Sequence, residues 1–196
     1  MGEWVRLPHS PPEIKDNIME SMFNKDSKLI DLIKVYKNVI PKSLCNDFIN
    51  RSVNFEWKGN YRQPNEKFAI SSSFLDESTY SEYLPIIKNS VAAYNNDVAQ
   101  PFYFGIKEII KPEMHKFTVG TKMLLHHDHG IKGAPTLTTL GLLNDDFEGG
   151  EFLFWNDEVV KIEAGDMLLF PALFAYLHQV TPITKGTRYS IISWVF

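Results

Sequence analysis

The chain has one cysteine, Cys45. A disulfide framework and a thiolate zinc cage are thereby excluded, and Cys45 reads as a small buried residue on a helix. No apolar run approaches the ~20 residues that cross a bilayer. The first residues lack a charged-then-apolar signal pattern, and Pro8, Pro11 and Pro12 break that stretch. A surplus of positive charge is also missing. The formal net charge of −4 gives no general drive toward nucleic acid or an anionic membrane. Internal repeats and low-complexity tracts are absent. These absences point to a cytoplasmic protein with no membrane partner, for which a nucleic-acid partner is disfavoured.

What is present is ordinary globular usage, 44% hydrophobic and 22% charged, with aromatics at 13% to fill a core or a pocket. Ser10, Pro11 and Glu13 predict the start of a short helix running to about Phe23. A strand is expected near 30–39, then a helix over about 41–53 with Leu44, Phe48 and Ile49 inward. Residues 54–73 read as a polar loop that could form a lid, with Trp57, Tyr61 and Arg62 as substrate contacts. A longer helix is expected over 79–98, started late or kinked by Pro85. From about 101 short apolar or alternating runs follow one another, separated by turn chemistry, which indicates a sandwich or barrel. One domain over 1–196 is the simplest organisation: a helical and loop part over 1–100, and a β core over 101–196. The class is α+β, mainly β.

The chemistry concentrates in MLLHHDHG, residues 123–130, which holds three of the six histidines. If 123–128 is a strand, His126 and Asp128 share one face and His127 and His129 the other. An imidazole and a carboxylate so placed make two corners of a metal site. A third could come from His9, His115 or His178, and His178 lies in another apparent core strand. Two histidines and one carboxylate leave the remaining metal positions open, the arrangement for non-haem Fe(II) that must take up O₂ and a co-substrate. The same residues would also suit zinc hydrolysis, or a metal-binding β-sandwich without turnover. Downstream, Arg188 and Ser190 share a face if they lie on a strand. A buried arginine is costly unless an anion meets it, an internal carboxylate or a ligand.

FTVGTKMLLHHD, NDDFEGGEFLFW, EAGDMLLFP and HQVTPITKGTRYSIISW, in this order, resemble the iron(II)/2-oxoglutarate-dependent dioxygenases, and most closely their prolyl 4-hydroxylase-like group. The resemblance spans about 114–196. It implies a double-stranded β-helix (jelly roll) buttressed by the N-terminal helices. It also implies His126, Asp128 and His178 as iron ligands, Arg188 on the far carboxylate of 2-oxoglutarate, and Ser190 as a helper. O₂ would be the other co-substrate and ascorbate a reductant. Phe117 and Met123 stand where the family carries tyrosines, so their hydroxyl contacts would come from elsewhere: Thr139, Thr121 or Tyr103. His127 is expected to pack or to support the ligands. Gly149 and Gly150 are expected to serve a hairpin turn or bulge, and Glu151 to face solvent. The implied reaction is hydroxylation of a C–H bond in a prolyl or other residue of a peptide or protein, with release of succinate and CO₂; a free amino acid or small metabolite is the alternative substrate. Arg188 argues against a purely structural metal, and the lack of a general base at motif spacing argues against a zinc hydrolase.

Overall fold

A computed structural model describes residues 28–59, 70–99, 108–130 and 133–196. The helix expected from Ser10 onward lies outside them. Two α-helices are described, α1 (Lys42–Arg51) and α2 (Glu77–Tyr94). The strands are β1 (Lys34–Tyr36), β2 (Lys58–Gly59), β3 (Ser71–Phe74), β4 (Glu113–Phe117), β5 (Met123–His126), β6 (Leu137–Leu142), β7 (Glu148–Gly149), β8 (Phe152–Phe154), β9 (Glu158–Val160), β10 (Met167–Pro171), β11 (His178–Val180), β12 (Ile183–Lys185) and β13 (Arg188–Val195). They form a seven-stranded sheet, β1-β10-β6-β13-β4-β3-β2, a four-stranded sheet, β5-β11-β8-β9, and a two-stranded ladder, β12-β7. The pairings are antiparallel.

The centre of the large sheet is buried on both faces, which is why β10 reads as the unbroken apolar run MLLFP. Met167 and Leu169 pack under the helices with Ile40, Phe48, Tyr83 and Val91. Leu168 and Phe170 point the other way, against Phe152, Phe154 and Val180 of the smaller sheet. Each such side chain, fully buried, contributes about 1.5–3 kcal/mol. Helix α2 sits close because Gly141 of β6 has no side chain. A Cβ there would lie 2.3 Å from the Tyr83 hydroxyl. Cys45 is buried on α1, as expected. The architecture is a double-stranded β-helix with two helices on its outer face.

Three expectations are corrected. Residues 30–39 are not one strand: a 3₁₀ turn at Leu29–Leu32 precedes a strand of only Lys34–Tyr36. That strand stops because Asn38 takes a left-handed conformation (φ 53°) and gives its N–H to the buried Asp166 carboxylate. The serine run at 71–73 is not loop but strand. β4 offers a sheet edge, and Ser71, Ser72 and Ser73 pair with Lys116, His115 and Met114. Tertiary context here overrides a weak local β preference. Helix α2 starts early rather than late. The Asp76 side chain accepts from the Thr79 N–H at 2.7 Å and fixes the N-terminus, while Pro85 sits inside the helix. The N-terminal half thus supplies β1, β2 and β3 to the large sheet, in addition to helices and loops.

Candidate metal and co-substrate site

Strands β5 and β11 are antiparallel neighbours, and their register sets His178 opposite His126. The two imidazole centroids are 4.3 Å apart. β5 ends at His126, so Asp128 arrives from the turn beyond it and not as the next residue on a strand face. Its carboxylate is 1% exposed. Asp128 Oδ1 lies 3.6 Å from His126 Nε2, and Oδ2 lies 3.9 Å from His178 Nε2. Among the described residues this is the one group of three or more His, Cys, Asp or Glu side chains with ligand atoms within 4.8 Å of one another.

The imidazoles are aimed from behind. His126 Nδ1 is 2.7 Å from the Leu124 carbonyl, and His178 Nδ1 is 3.0 Å from the Tyr176 carbonyl. A carbonyl only accepts, so each Nδ1 carries the proton and each Nε2 presents a lone pair inward. The His178 ring lies flat on Phe152, 12° from parallel, and edge-on to Phe170. Burial, with the neighbouring His126 and His127, holds its pKa below the ordinary imidazole value, against the opposing pull of Asp128 and the Tyr176 carbonyl. Thr138 Oγ1 donates to Asp128 Oδ2 at 2.6 Å and orients the carboxylate. Two imidazole nitrogens and one carboxylate oxygen, left open on one side, fit ferrous iron.

Arg188 opens β13 and pairs with Phe117 of β4. It is 1% exposed. Nη1 donates to Ser190 Oγ at 3.0 Å, and the guanidinium carbon sits 5.1 Å from the Phe117 ring centroid. Among the described residues Nε and Nη2 meet no acceptor, and no carboxylate lies within 4 Å of the guanidinium. Burial lowers its pKa to about 10, which still leaves it a cation at neutral pH. The unmatched N–H groups fit a carboxylate brought by a ligand. The His126–Asp128–His178 set and Arg188–Ser190 line one cavity of about 290 Å³, with Phe117 and Met123 on its wall. Two larger surface clefts, of about 710 and 650 Å³, gather no comparable set.

Several expected site residues lie elsewhere. Thr139 faces away from the cavity, its hydroxyl 3.4 Å from the Ser193 carbonyl. The neighbouring Thr138 takes the inward position, which went unforeseen because a Thr-Thr pair carries no parity signal. Thr121 donates to the Thr118 carbonyl within a turn. Trp57 is not on the cavity wall. Its Nε1 donates to the Ser52 carbonyl, and the ring packs near Tyr189. Tyr61, Arg62 and Tyr103 lie outside the described residues. His127 is exposed rather than packed, because the chain has left β5 before reaching it, but it stays beside the ligand set on the lining of the cavity. Gly149 and Gly150 mark a break between β7 and β8, in the manner of a bulge, where the paired chain passes closely. A Cβ on Gly149 would lie 2.2 Å from the Pro182 carbonyl oxygen, and one on Gly150 2.4 Å from Ile183 Cδ1. Glu151 is exposed, as expected.

This donor set and the buried arginine with its two unmatched N–H groups are what a metal ion and a carboxylate ligand would need of a β-helix. Residues 112–196 match the family model described as the 2OG-Fe(II) oxygenase superfamily. A PKHD-type hydroxylase of Methylobacterium nodulans is 33% identical over 99 residues, covering 44% of this chain and 43% of that one. A PKHD-type hydroxylase of Alteromonas mediterranea is 41% identical over 68 residues, 33% of this chain and 29% of that one. The chain therefore spans less than half the length of these relatives. Among solved structures, a Pseudomonas putida prolyl-4-hydroxylase superposes with TM-score 0.66 at 16% identity, covering 83% of this chain and 91% of that one. A Trichoplax adhaerens prolyl hydroxylase, solved with a hypoxia inducible factor oxygen degradation domain peptide fragment, has TM-score 0.66 at 19% identity, covering 85% and 84%. These two show a shared fold. Over residues 112–196 the chain is thus similar to the 2OG-Fe(II) oxygenase superfamily, and its fold is prolyl 4-hydroxylase-like.

Among the described residues, no helix is long and apolar enough to cross a membrane.

Proposed function

We propose that this chain is an Fe(II)- and 2-oxoglutarate-dependent dioxygenase that hydroxylates a C–H bond of a prolyl or other residue in a peptide or protein. One juxtaposition supports this most strongly. A His–Asp–His set and a buried arginine with two unmatched N–H groups share one cavity. When bound, iron with 2-oxoglutarate and O₂ supplies an oxidative decarboxylation that yields succinate, CO₂ and one oxygen atom for the substrate C–H bond. His126, Asp128 and His178 would hold the metal. The Leu124 and Tyr176 carbonyls keep the two imidazoles in the tautomer that ligation needs, and Thr138 keeps the carboxylate turned inward.

Arg188 would bind the far carboxylate of 2-oxoglutarate through Nε and Nη2, and Ser190 would hold Arg188 in place and add its own hydroxyl. Phe117 covers the guanidinium and helps keep water from it. Positioning and water exclusion are what the protein contributes to such chemistry. A peptide is favoured as substrate because one fold neighbour, a prolyl hydroxylase, was solved with a peptide fragment. The test is incubation of the protein with Fe(II), 2-oxoglutarate and a peptide library, read by mass spectrometry. Gain of one oxygen on a peptide residue is expected, and it should be absent for His126→Ala. Oxygen gain on free amino acids with no peptide modified would overturn the substrate assignment.

A further inference from the structure

Among the described residues, three besides glycines hold a positive φ: Asn38, Trp155 and Asn156. Asparagine takes that conformation readily and tryptophan does not. Trp155 and Asn156 are the central pair of the turn from β8 to β9, in which the Asp157 N–H donates to the Phe154 carbonyl at 3.3 Å. A turn with both central residues at positive φ favours Asn, Asp or Gly in the first of them. Trp155, at φ 50°, is therefore a costly choice for the turn itself.

What it gains lies across the cavity mouth. The indole Nε1 donates to the Ala175 carbonyl at 2.7 Å. The ring stands 6.1 Å from the Tyr176 ring, and the backbone N–H donates to the Leu177 carbonyl at 2.9 Å. Those three residues lead directly into His178, and the Tyr176 carbonyl is the acceptor that fixes His178 Nδ1. At the tip of the same loop Leu173 and Phe174 are 46% and 70% exposed, so burial does not anchor it there.

Resting on the functional reading above, we propose that Trp155 is a positioning residue for the metal: by clasping residues 175–177 it fixes the Tyr176 carbonyl, and through it the orientation and tautomer of His178. An asparagine or glycine at 155 would ease the turn and release the loop. The strain in the turn is retained for the sake of a ligand 23 residues further on.

The test reads two quantities in wild type, W155N and W155F. W155N suits the turn and loses the clasp; W155F keeps a ring and loses the N–H. In metal-free protein near neutral pH, nitrogen-15 NMR of labelled histidine reports which His178 nitrogen carries the proton. Wild type should show Nδ1–H, and both variants a mixture with Nε2–H. In titrations followed by electron paramagnetic resonance, Mn(II) should bind both variants about tenfold more weakly, the low end of the effect of groups that orient metal ligands. A purely structural role would lower Tm and leave both readouts alone, so unchanged Mn(II) affinity in the variants overturns the proposal whatever happens to Tm. Weaker Mn(II) binding with the Nδ1–H form intact overturns the route through the Tyr176 carbonyl. If W155N does not fold, W155F is read in the same way. Wild-type protein that shows the Nδ1–H form yet binds no Mn(II) overturns the functional reading itself, and the positioning role with it.

Discussion

Replacing Arg188 by methionine should make the ligand-free protein more stable and make it unable to bind its co-substrate. Arg188 is fully buried, and burial moves its pKa from 12.5 to about 10. At about 1.4 kcal/mol per pKa unit, that shift corresponds to roughly 3 kcal/mol held against the charged form. Removing the charge recovers this amount. It also leaves Ser190 Oγ without its donor, at about 1 kcal/mol, and loses the contact with Phe117, at about 0.5–1 kcal/mol. The net is a gain of roughly 1 kcal/mol, or about 2–4 °C in Tm for a chain of this length. Binding moves the other way. Two charge-assisted hydrogen bonds at about 1.5–3 kcal/mol each put the loss of 2-oxoglutarate affinity at about a hundredfold or more. Thermal melts of wild type and Arg188→Met near neutral pH, with and without Mn(II) and 2-oxoglutarate, read both effects. Wild type should gain Tm from 2-oxoglutarate and the variant should not. A variant markedly less stable than wild type, yet still stabilised by 2-oxoglutarate, would show that a protein anion already satisfies Arg188.

Thr138→Val removes the hydrogen bond that orients Asp128 while keeping the shape of the side chain. Metal affinity, measured by Mn(II) titration, should fall about 10–100-fold, and an unchanged value would mean that Asp128 is oriented by its packing alone. Gly149→Ala meets a backbone oxygen at a left-handed φ of 76°. It should cost about 2–4 kcal/mol in denaturant unfolding, and a loss below ~1 kcal/mol would show that the β7–β8 break can move. Burial holds the His178 pKa below its unfolded value. Its contribution to the stability of the metal-free protein is therefore complete above about pH 6.5, and is lost as pH falls from there through the folded value, where only the unfolded chain takes up the proton. Wild type should lose Tm across that window more steeply than His178→Phe; parallel pH profiles would refute it.

Local signals carried much of the site. His126 and Asp128 announce themselves by spacing, and the apolar surroundings of His178 mark it as a core-strand histidine. Arg188 and Ser190 share a face through simple strand alternation, as β13 bears out. Helix α1 with inward Phe48 follows from periodicity, and buried Cys45 from the usual place of a lone cysteine. What was not legible depends on partners distant in sequence. Three serines become a strand only because β4 presents an edge to them. Thr138 and Thr139 differ in role only through the register of β6 with β10 and β13, and Asp128 comes to its place from a turn outside strand alternation.

The account turns on iron and 2-oxoglutarate meeting at His126, Asp128 and His178. The most direct test is anaerobic titration of Fe(II)-loaded protein with 2-oxoglutarate, following the weak visible charge-transfer band of the chelate, with His178→Ala alongside. The band should appear in wild type and be missing from the variant. Metal bound in wild type with no band on adding 2-oxoglutarate would contradict the account, and the resemblance would then report a shared fold alone.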